Sequence, residues 1–425
     1  MCDTVAGELI LSFPRIDMAA RRVVSLLRER QIEHVEYVES LENRVARLDL
    51  KADSDLEFDF HLLRVPVGQE SWKTTYLQFF YKRELLNFIP ESTPDLIMKL
   101  LGRSDYEFTV SPNHLLTLAN SPAAVPISAN SFHFGNCHAQ YRQLIGLPRP
   151  QSPTVEKIRV LLLDSGVASD APIIVTEQRN VVDRNNLHRA EDDHGHGTAI
   201  ALLIHDLAPS AEFIVYKVAD ASGRISEWDA LAGIAAQSNA HVVNLSMQFG
   251  LLDKGKGCAV CGRESRASRS AIFENIIDQM AKRKPRPIIV AAAGNYQANE
   301  LAYPSRFADV LAVGAITSLR FLTSDCNTGN SDQAGSPHRN HFVLPGGESN
   351  PAKLEPVLTS AGARNWSGSS FAAAFASGLV AELLSRMRTA SFDFDRFVDG
   401  LRQNADRNLR PIYSAAEFGN GLMHV

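Results

Sequence analysis

Two rhythms of apolar and polar residues divide the chain. Leu56, Phe58, Phe60 and Leu62 alternate with acidic residues and a histidine, the period of two that a half-buried strand shows. TTYLQFFY, residues 74–81, reads as a second strand. Ahead of both, Asp17 is placed to cap a helix that brings Met18, Val23, Leu26 and Leu27 near one face, and DLIMKLLG, residues 95–102, reads as another helix. The chain then loosens into SPNHLLTLANSPAAVPISANS, residues 111–131, whose Pro, Ser, Asn and Ala content marks an inter-domain segment with the boundary near residue 130.

From about residue 155 the rhythm changes to unbroken apolar runs: IRVLLLDSG, AEFIVYKV, HVVNLSM, PIIVAAAG and DVLAVGAI. Helical stretches such as EWDALAGIAAQSN and AIFENIIDQMAKR separate them. Strands that are apolar on both faces belong to a parallel sheet covered by helices on both sides. The expectation is therefore an α/β domain over residues 131–425 with a doubly wound, mainly parallel sheet, and a smaller α+β domain over residues 1–130. In such sheets functional residues gather at the carboxyl ends of the strands.

Composition narrows the function. With 45% apolar residues in 425, the chain can bury a large core. The net charge of −5, from 43 basic and 48 acidic residues, comes without a long basic run, so nucleic acid is not an expected partner. No stretch approaches the roughly 18 apolar residues of a membrane span, and the first residues lack the basic start and apolar run of a secretory signal. The five cysteines, Cys2, Cys137, Cys258, Cys261 and Cys326, form no disulfide framework, and the cytoplasm is the expected compartment.

The strand ends carry the candidate chemistry. VLLLDSG ends in Asp164, the one charged residue between Val160 and Gly166. His196 follows 32 positions later at the start of a small-residue helix, with His194 as its neighbour and rival, although only His196 precedes a Gly-Thr pair. PIIVAAAGN closes a buried strand with Asn295, whose amide can donate to an oxygen in a cleft. NWSGSSFAAAFASGL sets Ser369 and Ser370 at the head of a helix so rich in alanine and glycine that it must be packed on all sides. Its amino end is positive, which suits an attacking hydroxyl.

In this order, DSG, HGT, AAGN and GSS-FAA resemble the signature blocks of the subtilisin family of serine peptidases, over residues 135–425. The resemblance implies a serine endopeptidase that hydrolyses peptide bonds through an acyl-enzyme, with Asp164, His196 and Ser370 as catalytic triad and Asn295 in the oxyanion hole. It also implies a substrate-binding strand at Ser246, Met247 and Gln248, and an opposite wall at Ala292, Ala293 and Gly294. The family usually carries two glycines where this chain has Gln248 and Phe249, so the primary pocket is expected to be narrowed or reshaped. The usual proline and histidine after the nucleophile are replaced by Ala374 and Phe375. No metal or organic cofactor is required by this chemistry. A rival expectation from the same motifs is a catalytically inactive peptide-binding or sensor module.

One insertion stands apart. Cys258 and Cys261 form a CxxC pair within residues 251–268, half of a zinc site that Cys326 with His338 or His341 would have to complete; a reduced surface loop is the expectation. No acidic cluster marks a calcium site. The expected partners are a protein or peptide substrate and a regulatory protein acting through residues 1–130; these residues either restrain the enzyme, with Ser111–Asn130 lying in the cleft as an extended strand or with the cleft held distorted until a partner binds, or serve as a folding aid or tether.

Overall fold

The computed structural model describes residues 4–14, 19–29, 32, 35–65, 108–119, 132–134, 138–146, 156–236, 239–250, 269–329, 339–347, 358–360, 364–387 and 392–424. The chain begins with β1 (Thr4–Pro14), α1 (Ala19–Glu29), β2 (Glu36–Ser40), α2 (Leu41–Ala46), β3 (Phe58–Arg64) and β4 (Thr109–Leu118). It continues with β5 (Phe132–Phe134), α3 (His138–Leu144), β6 (Arg159–Asp164), β7 (Ile174–Asn180), α4 (His196–Leu207), β8 (Glu212–Lys217) and β9 (Arg224–Ser226). Then come α5 (Glu227–Ala235), β10 (Val242–Leu245), β11 (Met247–Phe249), α6 (Ala271–Lys282), β12 (Ile288–Ala292), β13 (Val310–Ile316) and β14 (His341–Pro345). The last elements are β15 (Leu358–Ser360), β16 (Arg364–Trp366), α7 (Ser369–Ser385), α8 (Phe394–Asn404) and α9 (Ala415–Phe418). The strand expected at 74–81, the helix at 95–102, the cap Asp17 and the insertion 251–268 lie outside the described residues.

The chain forms two compact units. One comprises Met1–Leu116, Ser226–Gln237 and Phe249–Gln279; the other comprises Thr117–Ile225, Ser238–Gln248 and Met280–Val425. This differs from the expected single cut near residue 130 in two ways. The segment read as loose from Ser111 onward is strand as far as Leu118, because its backbone completes a sheet. Two later stretches, holding α5 and α6, cluster with the amino-terminal residues.

In the first unit β4, β1, β3 and β2 lie side by side, each antiparallel to its neighbour. Leu9, Leu11, Phe13, Leu63, Val65 and Val110 join Val23 and Leu26 of α1 in one apolar cluster. Polar side chains tie this sheet to α5: Arg44 donates to Asp229 at 2.6 Å, Trp228 Nε1 to Glu39 at 3.2 Å, and the Trp228 backbone N–H to Asn113 at 3.0 Å. Glu227, fully buried, accepts from the Ser270 hydroxyl and lies 2.7 Å from His114 Nδ1.

The second unit is built on a seven-stranded sheet in the order β14-β13-β12-β10-β6-β8-β7, every neighbouring pair parallel. The strand order makes the chain leave β6 on one side toward β7 and β8 and return on the other at β10. That reversal opens a crevice beyond the carboxyl ends of β6 and β10, the place where open parallel sheets hold their ligands. Helix α7 packs on β10, β12, β13 and β14 and against α4. Its small residues are what that packing requires: a Cβ on Gly378 would stand 2.8 Å from Leu207 Cβ. β16, β15 and β5 form a separate small antiparallel sheet.

Candidate active site

Asp164 is the last residue of β6, and its carboxylate Oδ1 lies 2.8 Å from Nδ1 of His196, the first residue of α4; both side chains are fully buried. The pair is set by close backbone approach. A Cβ on Gly197 would meet the Gly166 carbonyl at 2.1 Å and Asp164 Cβ at 3.2 Å, so only glycine lets the helix start so near the strand end. The edge of Phe371 meets the His196 ring at 5.7 Å between centroids, which places the head of α7 beside it.

Asp192, absent from the sequence expectations, organises this corner. It is 3% exposed and accepts from Ser165 Oγ at 2.8 Å, from the backbone of His194 and Gly195 at 3.1 and 2.7 Å, and from Thr198 N and Oγ1 at 2.8 and 2.6 Å. Gly195, at the N-cap of α4, offers no side chain, so this carboxylate does the capping. Ser165 Oγ in turn accepts from Gly197 N at 3.0 Å. Ser165 Oγ stands closer to Asp192 than to Asp164 Oδ1, 3.3 Å away, while Ser165 N donates to Asp164 at 2.8 Å. The signal was visible as EDDHGH, but nothing in the sequence distinguishes this carboxylate from its neighbours. His194 sits beside His196, ring centroids 6.1 Å apart, and burial, with the neighbouring His196 second, pushes its pKa down.

Ser369 and Ser370 open α7 after Gly368, whose φ of +128° is a glycine conformation. The two hydroxyls part company. Ser369 Oγ accepts from Gly294 N at 3.1 Å, and Ser369 N donates to Asn295 Oδ1 at 2.9 Å. With its oxygen held in this way, Asn295 keeps its amide nitrogen Nδ2 buried and without a hydrogen-bond partner. Ser370 Oγ instead donates to the backbone carbonyl of Ala119, with the Ser246 carbonyl a second acceptor at 3.2 Å.

Ala119 closes the segment that enters this crevice. Leu118 N donates to the Gly223 carbonyl at 2.9 Å and Ala119 N to the Ser246 carbonyl at 3.1 Å, so the end of β4 and the residue after it lie beside Ser246. Ser246 Oγ accepts from Asn244 at 2.9 Å and donates to the Ser370 carbonyl at 3.2 Å. Met247 is fully buried, and Gln248 reaches across to accept the Asn295 backbone N–H at 3.1 Å. On the other side Ala292 is buried, Ala293 packs with Leu301 and Ala312, and Gly294, φ +107°, turns where a Cβ would strike Asn327 at 2.5 Å.

Cys258, Cys261 and His338 lie outside the described residues. Burial pushes the Cys326 thiol up to about 12, and its Sγ donates to the Asn327 carbonyl at 3.2 Å, which keeps it a protonated core thiol. Among the described residues no group of three or more His, Cys, Asp or Glu is arranged to hold a metal ion. Among them, too, no helix is long and apolar enough to cross a membrane.

Known proteins resemble the chain to differing extents. The sequence profile of the subtilase family matches residues 155–421. Over 188 residues the chain is 29% identical to Subtilisin Savinase of Lederbergia lenta, covering 40% of this chain and 62% of that protein. It is 29% identical to an alkaline protease of Shouchella clausii over 188 residues, covering 40% of this chain and 44% of that protein. An intracellular serine protease of Paenibacillus polymyxa is 24% identical over 290 residues, 63% of this chain and 79% of that one. In fold, the epidermin leader peptide processing serine protease from Staphylococcus aureus aligns with a TM-score of 0.55 at 15% identity, over 99% of this chain and 97% of that chain. A lanthipeptide protease aligns with a TM-score of 0.50 at 19% identity, over 64% of this chain and 88% of the other.

Proposed function

Because the chain belongs to the subtilase family, we propose that it is a serine endopeptidase in which Asp164, His196 and Ser370 form the catalytic triad. The observation that carries this reading is the buried Asp164–His196 hydrogen bond of 2.8 Å in the same crevice where Ser370 Oγ touches a peptide carbonyl. In the reaction a neutral His196, its Nδ1–H held by Asp164, takes the Ser370 proton on Nε2 as Oγ bonds to the carbonyl carbon. The carbonyl electrons move to oxygen, where Asn295 Nδ2 and the Ser370 backbone N–H at the head of α7 stabilise the charge. Collapse breaks the C–N bond, and His196 gives its proton to the leaving amine. Water then repeats the sequence on the acyl-enzyme, returning the acid product and free Ser370. No metal or cofactor enters this scheme. Asn295 suits the oxyanion role because Ser369 fixes its oxygen, which leaves the buried amide nitrogen free to donate.

The occupied crevice supports a second part of the reading, that residues 1–130 restrain the enzyme. Leu118 and Ala119 bond through their backbone N–H groups to the Gly223 and Ser246 carbonyls, the manner of a bound peptide. A regulatory protein acting on this arm would be the activating partner, and the protein's place would be the cytoplasm, in keeping with the relative named intracellular. The rival, an inactive peptide-binding module, fits the occupied crevice equally. Hydrolysis decides between them: purified protein should cut casein or peptides, Ser370→Ala should abolish cutting, and Ser369→Ala should retain measurable turnover. Peptide binding without turnover in the native chain would establish the inactive module.

A further inference from the structure

We infer that Gln248 is a strut across the mouth of the substrate pocket, and that the site therefore takes a small side chain, alanine, glycine or serine, on the residue whose carbonyl faces Ser370. The inference rests on the peptidase reading above and assigns its substrate class.

The geometry starts from two adjacent strands. β10 and β12 are paired in parallel through Leu245 and Ala291, and beyond their carboxyl ends the two chains separate into Ser246–Gln248 and Ala293–Asn295. A side chain on the residue facing Ser370 would have to enter the gap between these two walls, since that residue's own N–H is bound to Ser246 O and its carbonyl to Ser370 Oγ. Gln248 crosses the gap: it is 4% exposed and its Oε1 accepts the Asn295 backbone N–H at 3.1 Å. Asn295 is itself bound through Oδ1 to Ser369 N, so strut, far wall and helix head are joined by hydrogen bonds. Removing the strut would leave the Asn295 N–H without its acceptor, which makes displacement by an entering side chain costly. Glycine and alanine at 292–294 supply no bulk of their own, so Gln248 sets the depth.

A second observation points the same way. The residue whose carbonyl the chain itself presents to Ser370 is alanine, the side-chain size that the strut would admit. Leu118, the residue before it, is large and buried.

The test uses the full chain and two covalent probes, diphenyl phosphonates of the peptide Leu-Thr-Leu-Ala and of Leu-Thr-Leu-Phe, with labelling of Ser370 followed by intact mass. Both probes must displace the same resident segment, so the ratio of their rates reports the pocket. The alanine probe should react at least about tenfold faster than the phenylalanine probe in the native chain, and Gln248→Gly or Gln248→Ala should bring the two within about threefold. Equal rates in the native chain would overturn the inference, as would failure of both probes where a simple fluorophosphonate still labels Ser370. A preference for alanine that survives in both variants would remove Gln248 from the role. Absence of labelling by the simple fluorophosphonate would instead strike the peptidase reading itself.

Discussion

The side-chain amide of Asn295 is held at its oxygen end alone, and this decides its use. Ser369 N occupies the oxygen and leaves the nitrogen buried without a partner, an arrangement that has a cost in the resting protein and that, on the proposed mechanism, an oxyanion would relieve. Asn295→Ala should therefore lower kcat by about two to three orders of magnitude, the loss that follows removal of an oxyanion-hole asparagine in subtilisin itself, with KM little changed. A variant with normal kcat and raised KM would contradict the role. Asp192 makes a different prediction because it touches no substrate. It holds Ser165, Gly195 and Thr198 around the Asp164–His196 pair, so Asp192→Ala should lower kcat about 10- to 100-fold at unchanged KM. Asp192→Asn, which keeps the oxygen facing Ser165 and Gly195, should restore part of the loss. A purely structural role would appear as lost stability with kcat intact. The motif residues were legible in the sequence because each needs a local companion: Gly197 for the close approach, Gly294 for the turn, Gly368 before the helix. Asp192 and Ala119 were not, since what marks them is a partner chosen only in the folded chain.

At the scale of elements, the apolar runs mark the parallel strands directly, because strands covered on both faces carry no polar alternation to obscure them. β6, β8, β10, β12 and β13 fall on the five runs, and α4 and α7 begin at His196 and Ser369 as their small-residue stretches imply. β4 is not legible in this way. Pro112 and Asn113 are turn formers in isolation, yet Pro112 pairs with Leu9, and Asn113 bonds Glu8 at 2.8 Å and the Trp228 backbone, partners up to 115 positions away. β3 carries a further consequence. His61 is packed edge-on to Phe13 and is 2% exposed, and burial lowers its pKa to about 4 from the ordinary value near 6.5. The folded protein thus keeps this ring neutral while the unfolded chain takes up a proton. Stability is at its full value above about pH 6.5 and declines as pH falls toward 4, with a limit of about 3 kcal/mol from this group. Urea unfolding of His61→Leu should show a shallower decline over that interval than the native protein; parallel pH profiles would refute the assignment.

For the molecule as a whole, the strand reversal at β6 and β10 is the feature that gathers the site, placing an acid, a histidine and a serine from three distant stretches around one crevice. The order of the motifs made that fold legible in advance. The extent of the amino-terminal unit was not, since it recruits α5 and α6 from the middle of the chain. Leu118 and Ala119 occupy the crevice beside Ser370, so full-length protein should cleave casein slowly, and nicking between residues 119 and 131 should raise the rate. Equal rates before and after nicking would rule out restraint by this segment. The central claim, that Ser370 is a nucleophile activated by His196 and Asp164, is tested most directly by treating the purified full chain with a fluorophosphonate and measuring intact mass and the labelled peptide. One adduct is expected, on Ser370, absent from Ser370→Ala and strongly slowed in His196→Ala; no adduct, or an adduct that persists on Ser369 in the Ser370→Ala protein, would contradict it.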